Sequence, residues 1–451
     1  MHRPQEAERA RQAAGRLTGE GVRAVALTWV DNAGITRVKA VPVAMLEAAV
    51  TCGVGMSPVF DVFLVDDSIT TSAHIGGPVG DLRLFPDLDR LTVLAALPGW
   101  AWAPADRWQQ DGLPHPACQR QFAARAVTAA AGLGLRFRMA FEVEWVVLRD
   151  GPDGLRPACA GPAYGMTRIV ELADYLADVL GALDEEDVPV DQIHPEYAAG
   201  QMELSVAATD PVGAADRLVL VKETIRAVSE GHGLRASFAP MVVAGGVGNG
   251  CHLHVSAWVQ GANLFAGGDG PHGLTAPGES VLAGLLDALP ALCAIGCPSV
   301  ASYLRLVPQH WAGPWQCWGR ENREAALRLV TGMVGTEDSA ANAELKCFDA
   351  SANPYLLAGA VVTVAAAALG AEHRLPGEVT VDPAGLPVED RPARLPQSLT
   401  EAVDHLMADK LLLDALGEPL AEAFLAVRAA EIDLFAGSTD PEIAAATCWT
   451  Y

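Results

Sequence analysis

The sequence predicts an α+β protein in which a small β-rich domain precedes a larger domain of helices and half-polar strands. Residues 22–43 form two apolar-rich runs on either side of an Asp-Asn-Ala-Gly turn at residues 31–34, which is typical of a β-hairpin. Residues 136–148, RFRMAFEVEWVVL, place an apolar side chain at every second position, as a strand does when one face packs on a core. With 451 residues, the chain is long enough for two or three domains.

We place the first domain at residues 1–108 and the second at residues 109–451. Residues 108–119, WQQDGLPHPACQ, are rich in polar side chains, Gly and Pro and indicate a linker. In the second domain, Asp210 and Pro211 predict the start of a helix that ends near Gly231.

Two further helices are indicated by their first residues. The most apolar run, residues 354–370, follows Asn353, a good N-cap, and we expect a buried core helix rather than a membrane span because the run is short and rich in Ala. Ser398 and Glu401 have the spacing of a capping box at the start of a helical C-terminal segment.

The composition argues against nucleic acid and anionic membrane surfaces as partners. The formal net charge is −24, whereas phosphate binding needs clusters of Lys and Arg. The N-terminal segment lacks the apolar core of a signal peptide, and the nine cysteines contain no C-x-x-C pair. We therefore expect a cytoplasmic protein without nucleic-acid or membrane partners.

Four apolar segments each carry two polar, metal-capable side chains two residues apart. The pairs are Glu142/Glu144, Gln201/Glu203, His252/His254 and Glu344/Lys346. Side chains at i and i+2 leave a strand on the same side, so paired carboxylates repel each other unless a cation compensates them. The alternative is a set of surface strands with solvated glutamates.

The combined ligand set favours magnesium or manganese. It consists of Glu142, Glu144, Glu196, Glu203, Glu344 and His252. Oxygen ligands suit Mg²⁺, and an imidazole extends the site's tolerance to Mn²⁺. Six protein ligands exceed what one Mg²⁺ usually takes, so two or more ions fit better, as in phosphoryl-transfer sites.

The order of motifs resembles the glutamine synthetase superfamily over nearly the whole chain. The motifs are E-x-E at residues 142–144, HPEYAAGQMEL, GNGCHLHVS, SYLRLVP, NREAALR and ELKCFDASANPYL. The resemblance implies a β-grasp N-terminal domain and a catalytic domain with a curved antiparallel sheet flanked by helices. It also implies a homo-oligomer, commonly a double-ring dodecamer, whose active sites lie between neighbouring subunits.

By this resemblance, ATP phosphorylates the side-chain carboxylate of glutamate, and an amine displaces the phosphate to give an amide. Two or three ions of Mg²⁺ or Mn²⁺ would be bound in each active site. The ligands near glutamate would be Glu144, Glu196 and Glu203. The ligands near the ATP phosphates would be Glu142, His252 and Glu344.

The resemblance also implies roles for other side chains. Arg323 and Arg328 would neutralise the transferring phosphoryl group, and Arg305 would hold the substrate carboxylate. His254 and Ser256 would lie on the nucleotide side. The implied catalytic residues are Arg305, Arg323 and Lys346. The implied substrate-binding residues are Glu144, Gly248, Arg305, Trp311 and Ser57.

The chain departs from the family where ammonium would bind. Glutamine synthetases place one acid at each of two positions that align here with Ser57 and Trp311. An indole offers an apolar face and cation–π attraction in place of a carboxylate. Alternatively, an acid near the first position fills the role. The candidates for that role are Asp61, Asp66 and Asp67.

Milder departures affect the expected acyl substrate. Lys346 stands where the family usually has Arg, Met241 replaces a Lys, Val247 replaces an Asn that would border the amino acid, and Asn342 replaces an Arg on the nucleotide side. We expect an ATP-dependent ligase that joins a carboxylate, foremost the γ-carboxylate of glutamate, to an organic amine. Three alternatives stay open: a true glutamine synthetase, a ligase for a different amino or carboxylic acid, and a non-catalytic scaffold of the same fold.

Overall fold

The computed structural model describes residues 3–152 and 154–451. The strands are β1 Ala24–Val30, β2 Thr36–Pro42, β3 Val54–Met56, β4 Leu82–Pro86, β5 Thr92–Val93, β6 Trp100–Gln109, β7 Leu135–Gly151, β8 Gly154–Pro157, β9 Val190–Pro195, β10 Gln201–Val206, β11 Arg235–Ser237, β12 Cys251–Val259, β13 Ala262–Asn263, β14 Trp315–Arg320, β15 Ala325–Val330 and β16 Asn342–Leu345. The helices are α1 Arg3–Gly19, α2 Leu46–Cys52, α3 Gln119–Gly132, α4 Met166–Glu171, α5 Ala173–Glu185, α6 Pro211–Gly231, α7 Ala276–Gly296, α8 Ser302–Arg305, α9 Glu337–Ala340, α10 Pro354–Ala368, α11 Leu399–Ala408, α12 Lys410–Leu416, α13 Glu418–Leu434 and α14 Asp440–Thr447.

The N-terminal strands form a six-stranded sheet in the order β2-β1-β6-β4-β3, with β5 paired to β6. Strands β1 and β2 are the predicted hairpin. In its turn, one carboxylate oxygen of Asp31 accepts hydrogen bonds from the amides of Ala33 and Ile35. Gly34 has φ +81°, and a Cβ there would lie 1.9 Å from the carbonyl oxygen of Ser351, so the turn and its packing on the second domain both require glycine.

The second domain is built on a ten-stranded sheet in the order β14-β15-β16-β12-β7-β10-β9. Strand β7 lies near its centre and buries the odd-numbered side chains of residues 137–147, as its alternation predicts. Helices α3, α6, α7 and α10 pack with this apolar face in one core. The opposite face of the central strands carries polar side chains and borders the cavity that is described in the next subsection.

The predicted fold class is confirmed. Helix α6 has the predicted bounds, with Asp210 as its N-cap, and α10 is a core helix capped by Asn353. The capping box of α11 is half formed. The hydroxyl of Ser398 accepts from the amide of Glu401, but the Glu401 carboxylate accepts from the amide of Gln397 instead of that of Ser398.

Among the described residues, one helix has the length and composition of a membrane span, α7, and 83% of its most apolar window is buried, as in a core helix. One feature differs from the sequence prediction. Strand β6 continues through Trp108 to Gln109, so the irregular connection begins after residue 109. We retain the division at residue 108 as a proposal.

Candidate active site

The polar face of the ten-stranded sheet borders a cavity of about 920 Å³. Among the residues considered from the sequence, those lining it are Glu142, Glu144, Glu196, Glu203, Val247, Gly248, His252, His254, Arg305, Trp311, Arg323, Arg328 and Lys346. Acidic and imidazole side chains thus share one cavity with arginines and a lysine.

Strand register explains why these side chains meet. Residues that face each other across neighbouring strands point to the same side of a sheet. The facing pairs are Glu142 with His252, Glu144 with Glu203, Glu203 with His194, His254 with Glu344, and Glu344 with Arg328. A short polar row therefore crosses β9, β10, β7, β12, β16 and β15 although its members are far apart in the sequence.

One ligand group consists of Glu142, His252 and Glu344, whose donor atoms lie within 4.8 Å of one another. Nδ1 of His252 is 3.1 Å from Oε1 of Glu142 and 3.2 Å from Oε1 of Glu344. Glu344 is also paired with two cationic side chains, Lys346 at 2.9 Å and Arg328 at 2.9 Å. Burial alone would raise the pKa of Glu344, but Lys346, His252 and Arg328 hold it well below its usual value.

The second ligand group lies beside the first and shares His252 with it. Its donor atoms come from Glu144, Glu203 and His252, and an adjoining group consists of His194, Glu196 and Glu203. Nε2 of His194 is 2.9 Å from Oε1 of Glu203. Burial raises the pKa of Glu203 despite its hydrogen bond to His194, and the carboxylates of Glu142, Glu144 and Glu196 raise it further.

The donor set fits divalent cations. Five carboxylates and two imidazoles converge, and the Nε2 atom of His254 is buried without a hydrogen-bond partner among the described residues. Such an orphaned buried atom is destabilising unless a ligand satisfies it. Oxygen donors with a minority of imidazole suit Mg²⁺ and Mn²⁺.

The arginines that line the cavity differ in how much of their hydrogen-bonding capacity is used. Arg305 is buried and donates to the backbone carbonyls of Cys347, at 2.9 Å, and Lys346, at 3.1 Å. Arg323 is exposed to the cavity, and no hydrogen bond or ion pair joins it to the described residues. Arg323 is therefore the side chain most available to an anionic ligand, whereas Arg305 is a fixed positive charge in the wall.

Gly248 is constrained by close packing. A Cβ at this position would lie 2.5 Å from the carbonyl oxygen of Pro240 and 2.7 Å from Cγ of Arg305. Its own carbonyl accepts from Gln201 Nε2, which also donates to Glu144. Glycine is therefore needed here to bring the backbone against the cavity wall.

Three predicted site residues, Ser57, Ser256 and Glu344, are not part of the cavity lining, although Glu344 shares a donor group with Glu142 and His252, which line it. Ser57 caps a short 3₁₀ helix, Pro58–Val62, by accepting from the amide of Val59, and does not line the described cavity. Ser256 accepts a hydrogen bond from the indole of Trp258 and also lies outside the lining. Their roles stay predictions.

Sequence reasoning missed His194 and Tyr164. His194 precedes Glu196 by two residues in and after β9, so the spacing rule used for the other four segments applied here as well. The hydroxyl of Tyr164 donates to Glu196 at 2.9 Å, but Tyr164 belongs to an irregular segment without periodicity. Its position depends on contacts that a local pattern does not encode.

Asp61, considered as an acid for the amine position, is committed to the fold instead. It is fully buried and makes an ion pair of 2.6 Å with the equally buried Arg107. Burial raises the pKa of Asp61, but Arg107 and His115 outweigh that effect and hold it below its usual value. Asp66 accepts from Ser68, and Asp67 pairs with Arg37.

We expect Asp61→Ala to lower the free energy of unfolding by about 3–5 kcal/mol, because it leaves Arg107 charged and unpaired in the core. Urea denaturation monitored by circular dichroism measures this. The control is Asp81→Ala, which removes a half-exposed carboxylate 3.9 Å from Arg83 and should change the free energy by less than about 1 kcal/mol. Equal effects of the two substitutions would contradict the assignment of Asp61 to a buried structural pair.

The comparisons with known proteins agree with this geometry. Residues 116–444 match the model of the glutamine synthetase catalytic domain, and residues 11–114 match that of a glutamine synthetase N-terminal domain. The chain is 56% identical to a gamma-glutamylpolyamine synthetase, GlnA3, of Streptomyces coelicolor, over all of this chain and 98% of the relative. It is 27% identical to a gamma-glutamylanilide synthase of an Acinetobacter species, over 98% of this chain and 94% of the relative.

A solved structure has the same fold. The crystal structure of a glutamine synthase homologue superposes with a TM-score of 0.86 at 33% identity, over 95% of this chain and 99% of that one. The two domain matches, the relatives and the carboxylate-lined cavity agree. The chain belongs to the glutamine synthetase family of ATP-dependent, amide-forming ligases.

Proposed function

We propose that the protein joins the γ-carboxylate of glutamate to an organic amine, foremost a polyamine. The observation that carries this proposal is the exposed Trp311 in the wall of the cavity, at a position where glutamine synthetases have an acid. The relative of 56% identity, a gamma-glutamylpolyamine synthetase, supports the choice of amine.

The reaction would proceed in two balanced steps. The carboxylate of glutamate attacks the γ-phosphorus of ATP, the bond to the bridging oxygen breaks, and ADP leaves. The amine nitrogen then attacks the acyl phosphate, phosphate leaves with the bonding electrons, and the amine loses a proton. In this scheme Arg323 and Arg328 offset the charge of the transferring phosphoryl group, while Arg305 and Lys346 contribute positive charge for the carboxylates of the acyl substrate.

The carboxylates give the cavity its affinity for Mg²⁺ or Mn²⁺. We propose that Glu144, Glu196 and Glu203 hold a metal near glutamate, and that Glu142, His252 and Glu344 hold one near the phosphates. Two or three ions per site are consistent with three overlapping donor groups. Bound divalent ions supply charge neutralisation for the phosphates.

The amine position is apolar where ammonium would require acceptors. Trp311 is 54% exposed, and neither Ser57 nor Asp61 offers a free carboxylate to the cavity. An alkyl chain that packs on the indole gains about 0.8 kcal/mol per buried methylene. Two methylenes would give roughly tenfold in affinity over ammonium.

The proposed activity is tested by following ADP release with ATP, Mg²⁺, glutamate and a panel of amines that includes ammonium, monoamines, diamines and longer polyamines. We expect ADP release to depend on glutamate and to be fastest with a polyamine. A preference for ammonium would instead indicate a true glutamine synthetase, and release with another acid in place of glutamate would reassign the acyl substrate. Absence of ADP release with every pair would favour the non-catalytic scaffold.

We further propose a cytoplasmic homo-oligomeric ring, a double-ring dodecamer, with active sites shared between neighbours. The nine cysteines are free, as in a reducing compartment. Ser57 and its surroundings in the N-terminal domain do not line the cavity of their own chain, which is consistent with a role at a neighbour's site.

Light scattering tests the ring. We expect the mass of about twelve chains at micromolar concentration, because a closed ring buries the interfaces that shared sites require. The same sample diluted stepwise should lose activity and oligomer together. A monomer with full activity would contradict the shared-site proposal.

A further inference from the structure

We propose that Glu324 is a positioning residue for amine specificity, which it controls by fixing the loop that carries Trp311. This inference rests on the proposed function, because it concerns the amine that packs on Trp311. The loop, residues 306–314, connects α8 to β14 and is called the Trp311 loop below.

Glu324 binds the middle of the Trp311 loop through both carboxylate oxygens. Oε1 accepts from the amide of Trp311 at 2.7 Å, and Oε2 accepts from the amide of Gln309 at 3.2 Å. Glu324 is 5% exposed and does not belong to the cavity lining. It therefore acts from behind the wall and is not placed to touch an amine.

Arg394 binds the two ends of the same loop. Its guanidinium donates to the carbonyl of Leu306 at 2.9 Å and to that of Pro314 at 3.2 Å, and it stacks 5.1 Å from the ring centre of Trp315. The carboxylate thus satisfies amides in the loop, while the guanidinium satisfies carbonyls at its two ends. These hydrogen bonds satisfy backbone N–H and C=O groups of the loop and do not involve the indole of Trp311.

The loop needs such support because its backbone is strained. Gln309 and Trp311 have φ of +66° and +54°, which non-glycine residues rarely adopt. Without the two hydrogen bonds to Glu324, we expect Gln309 and Trp311 to relax to backbone conformations with φ below zero. The indole of Trp311 would then leave its present position. A fixed indole contributes more to amine binding than a mobile one, since less conformational entropy is lost on binding.

Arg323, the residue before Glu324, offers a second route by which a substitution of Glu324 could affect the reaction. Arg323 precedes Glu324 and lines the cavity, where it is proposed to face the phosphoryl group. If Glu324 acted mainly through Arg323, its loss would weaken ATP use. If it acts through Trp311, the KM for the amine should change while the KM values for ATP and glutamate stay the same.

The test compares Glu324→Gln with Glu186→Gln in the full oligomeric protein. Glu186 is a matched control: it is buried and its two oxygens accept from the amide of Ala95 and the hydroxyl of Thr224, away from the cavity. For Glu324→Gln we expect the KM for a polyamine to rise about fivefold, the size of one lost hydrogen bond, with the KM for ATP within about twofold. For Glu186→Gln we expect a similar loss of thermal stability and an unchanged KM for the amine.

A double-mutant cycle separates positioning from a general structural role. In a Trp311→Ala background, Glu324→Gln should cause no further rise in the KM for the amine, because its effect passes through the indole. If Glu324→Gln does not fold, Arg394→Gln takes its place, with the same expected pattern. Additive effects in the cycle, or a rise in KM no larger than that of Glu186→Gln, would overturn the inference.

The outcome for the unmutated protein keeps this test distinct from that of the proposed function. If the unmutated protein forms no amide with any organic amine, the proposed function fails. If it forms the amide and Glu324→Gln leaves the KM for the amine unchanged, only the positioning role of Glu324 fails.

Discussion

Replacing Glu144 with alanine is expected to reduce ADP formation at least about a thousandfold while leaving the fold intact. Glu144 contributes an oxygen to the donor group that includes Glu203 and His252. Loss of several kcal/mol of charge stabilisation for the phosphoryl group corresponds to a rate effect of this size. Glu344→Ala should have a similar effect on rate, but it also removes the carboxylate partner of Lys346 and one of the two carboxylate partners of Arg328.

The effect of Glu144→Ala on ADP formation can be separated from an effect on folding. The assay is steady-state ADP release at saturating Mg²⁺, with circular dichroism to verify folding. Glu223→Ala is the matched control, because Glu223 pairs with Arg226 at 2.7 Å on α6, outside the cavity. Turnover by Glu144→Ala comparable to that of the control would refute the proposed assignment of this ligand.

Trp311→Glu is expected to shift the ratio of kcat/KM for polyamine over ammonium toward ammonium by at least about tenfold. The substitution removes the apolar face on which about two methylenes would pack and supplies a carboxylate that ammonium can use as an acceptor. The side chain is exposed, so the replacement buries no charge and should be tolerated by the fold.

Trp449→Glu provides the comparison for that measurement. Trp449 is partly exposed, stacks on Arg235 and lies away from the cavity. Both variants are assayed with the same two amines at fixed ATP and glutamate. An unchanged ratio in Trp311→Glu, or an equal shift in Trp449→Glu, would mean that the indole does not determine amine preference.

Local strand geometry explains how much could be predicted from the sequence. Alternation in residues 136–148 is sufficient to predict a buried face of β7 and a polar face with Glu142 and Glu144. The family resemblance added the two-domain fold. The meeting of Glu203 with His194, and of Glu344 with Arg328, depends on register between strands that are distant in the sequence.

The loops explain what could not be predicted. The position of Tyr164 and the role of Glu324 depend on long-range contacts made by irregular backbone, which has no period to read. Asp61 is similar: in the sequence it is one of several nearby acids, and only its contact with Arg107, 46 residues away, shows that it belongs to the core. Residues that a neighbouring subunit would contribute lie beyond any pattern within one chain.

The central claim is that an organic amine, rather than ammonium, is the preferred nucleophile. One competition reaction tests it most directly: the unmutated protein with ATP, Mg²⁺, glutamate and equal concentrations of a polyamine and ammonium, analysed by mass spectrometry. We predict that the γ-glutamylpolyamine product exceeds glutamine by at least about tenfold, the size of the burial effect of two methylenes. Glutamine as the main product, with no organic amine in the panel doing better, would contradict the account.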